Sequence, residues 1–90
     1  MAVNINLLYP FLQQYTDNNE VVEVSGSTVS ECINDLIRQY PDIKGALFDN
    51  EKLRSYFMFF VNKEWSSPIE LSHPVKDGDE LSIAVIIAGG

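Results

Sequence analysis

Ninety residues make one domain near the small end of what folds without staples, and an apolar content of 46% supplies a single core and argues against disorder. A net charge of −7, from 13 acidic and 6 basic residues, repels phosphate backbones and speaks against nucleic-acid binding; it serves solubility, or docking onto a basic partner. A lone cysteine makes neither an internal disulfide nor a metal cluster, Asn4 and Asn6 interrupt any leader-like run, and the longest apolar stretch, residues 83–88, is far too short for a bilayer, so a cytoplasmic protein with no membrane association is expected.

Val3, Ile5 and Leu7 alternate with polar or small neighbours and predict a first strand running to about Tyr9, stopped by Pro10. Phe11 and Leu12 are expected to tuck a loop back onto the core, and residues 16–19 (TDNN) form a turn. Val22 and Val24 alternate with Glu23 and Ser25 in a second, half-buried strand, paired with the first as a hairpin.

The clearest helix follows Gly26. Thr28 stands three residues before Glu31, the capping-box spacing, with the Glu31 carboxylate expected to reach back to the cap. Val29, Ile33, Leu36, Ile37 and Tyr40 fall on one face, and Pro41 ends the helix. Cys32 lies at the edge of that stripe and reads as a small buried hydrophobe; a reactive or persulfide-carrying thiol needs an exposed, electropositive setting.

Residues 43–48 predict one further helical turn packed through Ala46, Leu47 and Phe48, and residues 49–52 a polar loop. Residues 57–62 (FMFFVN) are a dense strand-forming run. With Phe59 and Val61 inward, Met58 and Phe60 face out, either as an apolar partner patch or beneath another segment. Asn62, Lys63 and Glu64 make a tight turn. Trp65 then sits in polar surroundings, half exposed as an interface residue or closing the core. His73, the only histidine, has no partner for catalysis and is assigned no chemistry. Residues 76–80 (KDGDE) are a turn with Gly78 at its tight point, without the spacing of a calcium loop.

The chain ends on residues 81–90 (LSIAVIIAGG), where Leu81, Ile83 and Val85 alternate with Ser82, Ala84 and Ile86 in a last strand. A Gly-Gly end is poor material for ordering, because glycine loses the most entropy when fixed. It suits a thin thread entering a narrow pocket, and four extended residues reach roughly 13–14 Å. Two readings stand on the residues alone: a reactive Gly90 carboxylate, or a frayed end. The order β, β, α, short helix, β, short β, β predicts an α+β fold. One main helix packs across a mixed four-to-five-stranded sheet whose first and last strands are parallel neighbours, the β-grasp arrangement of ubiquitin. The expected division is a domain over 1–86 and a flexible tail over 87–90.

Three stretches, VSGSTVSECINDLIRQYP, FMFFVNKE and VKDGDELSIAVIIAGG, together resemble the MoaD/ThiS sulfur-carrier family in order and spacing from Val24 onward. The resemblance implies a carrier and no free-standing enzyme. An E1-like adenylating enzyme activates the C-terminal carboxylate with ATP, and a sulfur donor protein converts it to a thiocarboxylate. That sulfur passes to an acceptor enzyme such as the molybdopterin synthase large subunit, and the carrier itself binds no cofactor. Carried onto this chain, Gly90 bears the sulfur and Gly89 gives clearance. Ile87 and Ala88 line the entry to the partner's channel, while Leu8, Phe60, Trp65, Ala84 and Ile86 form the docking surface. The chain departs from MoaD-like proteins at Val85-Ile86, where a Pro is common, and at Gln13, where an Arg is common. Both departures leave the sulfur-carrier reading standing; molybdopterin synthesis is the first expected pathway, with carriage for cysteine, thiamine or another sulfur metabolite beside it. Two alternatives share the fold: a ubiquitin-like modifier joined through Gly90 to target lysines, and an interaction domain with an inert tail.

Overall fold

Alternation from Ala2 builds strand β1 (Ala2–Leu7), with Val3, Ile5 and Leu7 buried on one face. The computed structural model describes residues 2–86. It ends β1 before the expected Tyr9, because Pro10 opens a one-turn helix, α1 (Pro10–Gln13). Proline suits that first helical position, where its missing N–H is not needed. Leu12 is fully buried but Phe11 stays half exposed, so only one of the pair expected to tuck inward does so. Asp17 and Asn18, both at positive φ, complete the reversal. The buried Thr16 hydroxyl lies 2.8 Å from the Asn19 carbonyl, to which it donates.

Strand β2 (Val21–Ser25) buries Val22 and Val24 and pairs antiparallel with β1. Helix α2 (Val29–Gln39) then crosses the sheet with Val29, Cys32, Ile33 and Leu36 buried and Ile37 and Tyr40 packed at the margin. Thr28 Oγ1 accepts from Glu31 N at 3.1 Å, as the capping box requires. The reciprocal half is displaced by one residue: Glu31 Oε1 accepts from Ser27 N at 2.8 Å and from the Ser27 hydroxyl at 2.9 Å. The polar face of α2 also guards the outer edge of β2. Asp35 accepts from Ser25 N at 3.0 Å and Gln39 donates to the Glu23 carbonyl at 2.9 Å, which leaves fewer free groups for another strand.

The corner between β2 and α2 is tight. A Cβ on Gly26 would stand 2.8 Å from Cys32 N, 2.9 Å from Glu31 Cβ and 3.0 Å from Cys32 Sγ. Gly26→Ala is expected to destabilise the fold by about 1–3 kcal/mol, as overpacking does. A urea midpoint equal to the parent's would show that the corner yields freely.

Pro41 begins a 3-10 turn (Pro41–Ile43) that runs into α3 (Lys44–Leu47), with Ile43 and Leu47 buried. The expected polar loop is instead a tight hairpin of β3 (Phe48–Asp49) and β4 (Lys52–Leu53). Asn50 and Glu51 both take positive φ there, which matches the twist of flanking strands. Strand β5 (Phe57–Val61) leads into the expected turn, where Asn62 and Lys63 again have positive φ. No further strand forms before the last one. Two isolated bridges, Phe59 to Ile69 and Thr28 to Pro74, tie that loop to the sheet edge and to the start of α2. Gly78, at φ 88°, makes the turn into β6 (Glu80–Val85).

Strand β6 lies between β1, to which it is parallel, and β5, to which it is antiparallel, in the order β2-β1-β6-β5. Leu81 and Ile83 point into the core under α2. This is the β-grasp fold, with four strands in the main sheet and the small hairpin apart from it.

Three carboxyls are held below the ordinary carboxylate range. The Ser27 N–H and then its hydroxyl act on Glu31, and the Ser25 N–H and then Arg38 act on Asp35. The Lys76 N–H acts first on Asp79, with Asn62 assisting. A depressed folded value means that the stabilisation is complete above the unfolded values and is lost as pH falls through the folded ones. Urea midpoints are therefore expected to hold steady from neutrality to about pH 5 and to fall below about pH 4. Asp35→Asn should flatten part of that fall, and an unchanged slope would remove Asp35 from this account.

Candidate functional site

The face of the sheet away from α2 carries the side chains left over by the core alternation. Asn6, Ser82 and Phe60 stand in one row across β1, β6 and β5, and Ala84 and Met58 stand in the next row. Leu8 continues the alternation just past β1, where its N–H donates to the Ile83 carbonyl at 3.0 Å. Ile86 continues β6, its N–H donating to the Tyr56 carbonyl at 2.8 Å. Five of the expected site residues, Leu8, Phe60, Trp65, Ala84 and Ile86, thus gather on one face. Leu8, Ile86 and Trp65 are 40%, 46% and 50% exposed, which is high for apolar side chains, and Ala84 is partly covered.

Phe60 corrects the expectation of an outward patch. It is only 6% exposed, because Trp65 folds over it with ring centroids 5.4 Å apart in an edge-on arrangement. The accessible aromatic surface belongs to Trp65, and Phe60 is its support. Ile87, Ala88, Gly89 and Gly90 lie outside the described residues.

Sequence reasoning missed an aromatic group beside Ile86, whose N–H donates to the Tyr56 carbonyl. Tyr56 is 43% and Phe11 51% exposed, and Tyr9 joins Phe11 to Phe57, with centroids 5.6 and 6.5 Å away. Tyr56 packs on Phe57 at 4.9 Å. The signal available was the pair Tyr9 and Phe11 around a helix-starting proline, which one-face periodicity does not detect.

The described residues show no nucleophile poised for chemistry. Cys32 is fully buried, and burial first, then the Glu31 and Asp35 charges, push its thiol up and away from the reactive thiolate. His73 is exposed, and its backbone carbonyl accepts from Val29 N at 3.0 Å. Among the described residues no group of three or more His, Cys, Asp or Glu is arranged to hold a metal ion, and no helix is long and apolar enough to cross a membrane. What this arrangement offers is a central strand paired on both sides that precedes the Gly-Gly end in the chain, with an apolar face beside it.

Fold and surface together define a β-grasp domain of the carrier or modifier kind. The ThiS family matches residues 7–90, and the chain belongs to that family. CysO in the BexX/CysO complex from Amycolatopsis orientalis is similar over 98% of this chain and 99% of that one, at 34% identity and a TM-score of 0.82. SAMP1 from Haloferax volcanii shares the fold end to end, covering 100% of both chains at 20% identity and a TM-score of 0.82. The complex of subunits 1 and 2 of the molybdopterin-converting factor from Helicobacter pylori gives 20% identity over 100% of both chains, with a TM-score of 0.62. No curated protein sequence matches the chain.

Proposed function

We propose that this protein is a sulfur carrier whose Gly90 carboxylate is adenylated and then converted to a thiocarboxylate. The observation that carries the reading is a family match that runs through Gly90, joined to a central strand held on both sides and aimed at that end. A carboxylate is a poor electrophile until one oxygen becomes part of a good leaving group. A carboxylate oxygen attacks the α-phosphorus of ATP and releases pyrophosphate. Hydrosulfide then attacks the carbonyl carbon, and AMP leaves with the bonding pair. Gly90 and Gly89 present no Cβ to obstruct either attack, and Ile87 and Ala88 line the channel that receives them. The ATP and the acid–base groups belong to the E1-like partner, and the sulfur comes from a donor protein. The carrier contributes the docking face through Leu8, Ala84, Ile86 and Trp65, with Phe60 beneath.

For the acceptor we favour an enzyme that docks on this chain as BexX docks on CysO, on the strength of the 34% identity. Molybdopterin synthesis, the first expectation, rests on a 20% match that speaks for fold alone. The test is intact-protein mass spectrometry after incubation with ATP, an activating enzyme and sulfide. The expected result is a mass gain equal to one oxygen exchanged for one sulfur, confined to the C-terminal peptide. A ladder of lysine conjugates that depends on Gly90, with no thiocarboxylate, would replace the carrier with a modifier.

A further inference from the structure

Among the described residues, three oxygens on the open face of the sheet are buried without a hydrogen-bond partner: Asn6 Oδ1, Ser82 Oγ and Glu80 Oε1. They are neighbours. Asn6 and Ser82 face each other across parallel β1 and β6, and Glu80 precedes Ser82 by two residues, opposite Asn4. Adjacent strands lie about 4.8 Å apart and same-face residues about 6.6 Å apart, so one incoming side chain spans all three positions. Ser82 has no exposed surface at all. Buried polar groups without partners are costly and rare, and three side by side mark a surface that is incomplete by itself.

The chemistry of the missing group follows from what surrounds it. Two of the three atoms accept only, the Ser82 hydroxyl can accept as well as donate, one atom belongs to a carboxylate, and the whole chain is strongly acidic, with a net charge of −7. The complement is a cation with several donors. Trp65 stands at the margin of the patch, half exposed and edge-on to Phe60, the cross-strand neighbour of Ser82. An indole face attracts cations, and the planar guanidinium stacks on it while directing five N–H donors outward. An ammonium offers three donors from a single point and reaches separated acceptors less well. The three oxygens are covered in the free chain, so docking requires the side chains over them to shift; residues 62–68, which carry Trp65, are all exposed.

We propose that this patch receives an arginine side chain of the protein that docks on the open sheet face. The guanidinium donates to Asn6 Oδ1, Ser82 Oγ and Glu80 Oε1 and stacks against Trp65. The face is the one assigned above to partner docking, and the proposal rests on that assignment but not on sulfur chemistry at Gly90.

Trp65 is the only tryptophan, so its emission reports on the patch. The experiment is a titration of the full chain with arginine amide, with lysine amide and glycine amide at equal ionic strength as controls. A saturable change is expected with arginine amide, at least about fivefold tighter than with lysine amide. Glu80→Gln, which keeps the shape and removes the charge, is expected to weaken it about tenfold. Ser82→Ala is expected to weaken it too while leaving the urea midpoint equal or higher, because it deletes an unpaired buried oxygen. Equal responses to the amides would overturn the proposal, as would a response that never saturates or one unchanged in Glu80→Gln. So would a lowered midpoint in Ser82→Ala, which would mean that the hydroxyl is already paired within the fold. Deleting Gly89 and Gly90 should leave the titration unaltered, so a failed sulfur-loading assay and a failed titration point to different errors.

Discussion

One residue appended after Gly90 is expected to reduce sulfur loading to background while leaving urea unfolding unchanged. The activated group in the proposed function is the terminal carboxylate, and an added residue moves it one position beyond the glycines. The new terminal residue also brings a Cβ to the carbonyl that must be attacked. The fold loses nothing, since α2 and the four strands of the main sheet are complete by Val85. The discriminating measurement pairs intact mass after loading with an unfolding curve on the same sample. A loaded thiocarboxylate on the extended chain, without proteolytic trimming, would refute Gly90 as the carrier atom's site.

Ile83→Ala is expected to cost about 2–5 kcal/mol, the range for deleting a large aliphatic from a packed core. Ile83 is fully buried, pairs with Leu7 in parallel and Phe59 antiparallel, and sits in the middle of the strand that joins the two halves of the sheet. For a domain with roughly 5–15 kcal/mol in total, that loss is a large fraction of stability. Melting should fall by about 10 °C or more. Ile86→Ala, three residues further on and 46% exposed, should cost under about 1 kcal/mol but weaken partner binding. Similar losses of stability in the two variants would mean that the inward and outward faces of β6 were misassigned.

The separation of those two isoleucines shows how much was legible in the sequence. Strand periodicity reads which residues share a face, so Val3, Ile5, Leu7, Leu81 and Ile83 were identifiable as core and Leu8, Ala84 and Ile86 as their opposite. The cap at Thr28 was legible because capping depends on residues only three apart. Gly78 was legible because a tight turn of positive φ favours glycine. The Gly-Gly end and the family resemblance were likewise properties of the chain as written.

Other features escaped because they depend on what lies across space. Phe60 alternates outward as expected, yet Trp65, five residues on, returns to cover it. Asp49 and Asn50 marked a turn, but the strands that Asn50 and Glu51 join are only two residues long, too short to show a period. The Glu31 carboxylate chose Ser27 over the cap residue itself, a matter of side-chain reach. The three unpaired oxygens of Asn6, Ser82 and Glu80 come from two strands about 75 residues apart in the chain, brought together by parallel pairing.

By itself, then, the sequence determined the four strands of the main sheet and the long helix, which face of each is apolar, and which end carries the glycines. These are local properties, set by backbone periods of 2.0 and 3.6 and by the conformational range of single residues. Tertiary structure alone decided that Trp65 roofs Phe60, that residues 48–53 close into a hairpin, and that buried oxygens from distant strands meet without partners. Those outcomes depend on long-range pairing and packing, where the identity of a neighbour is fixed by the closed fold and not by the spacing of residues along the chain.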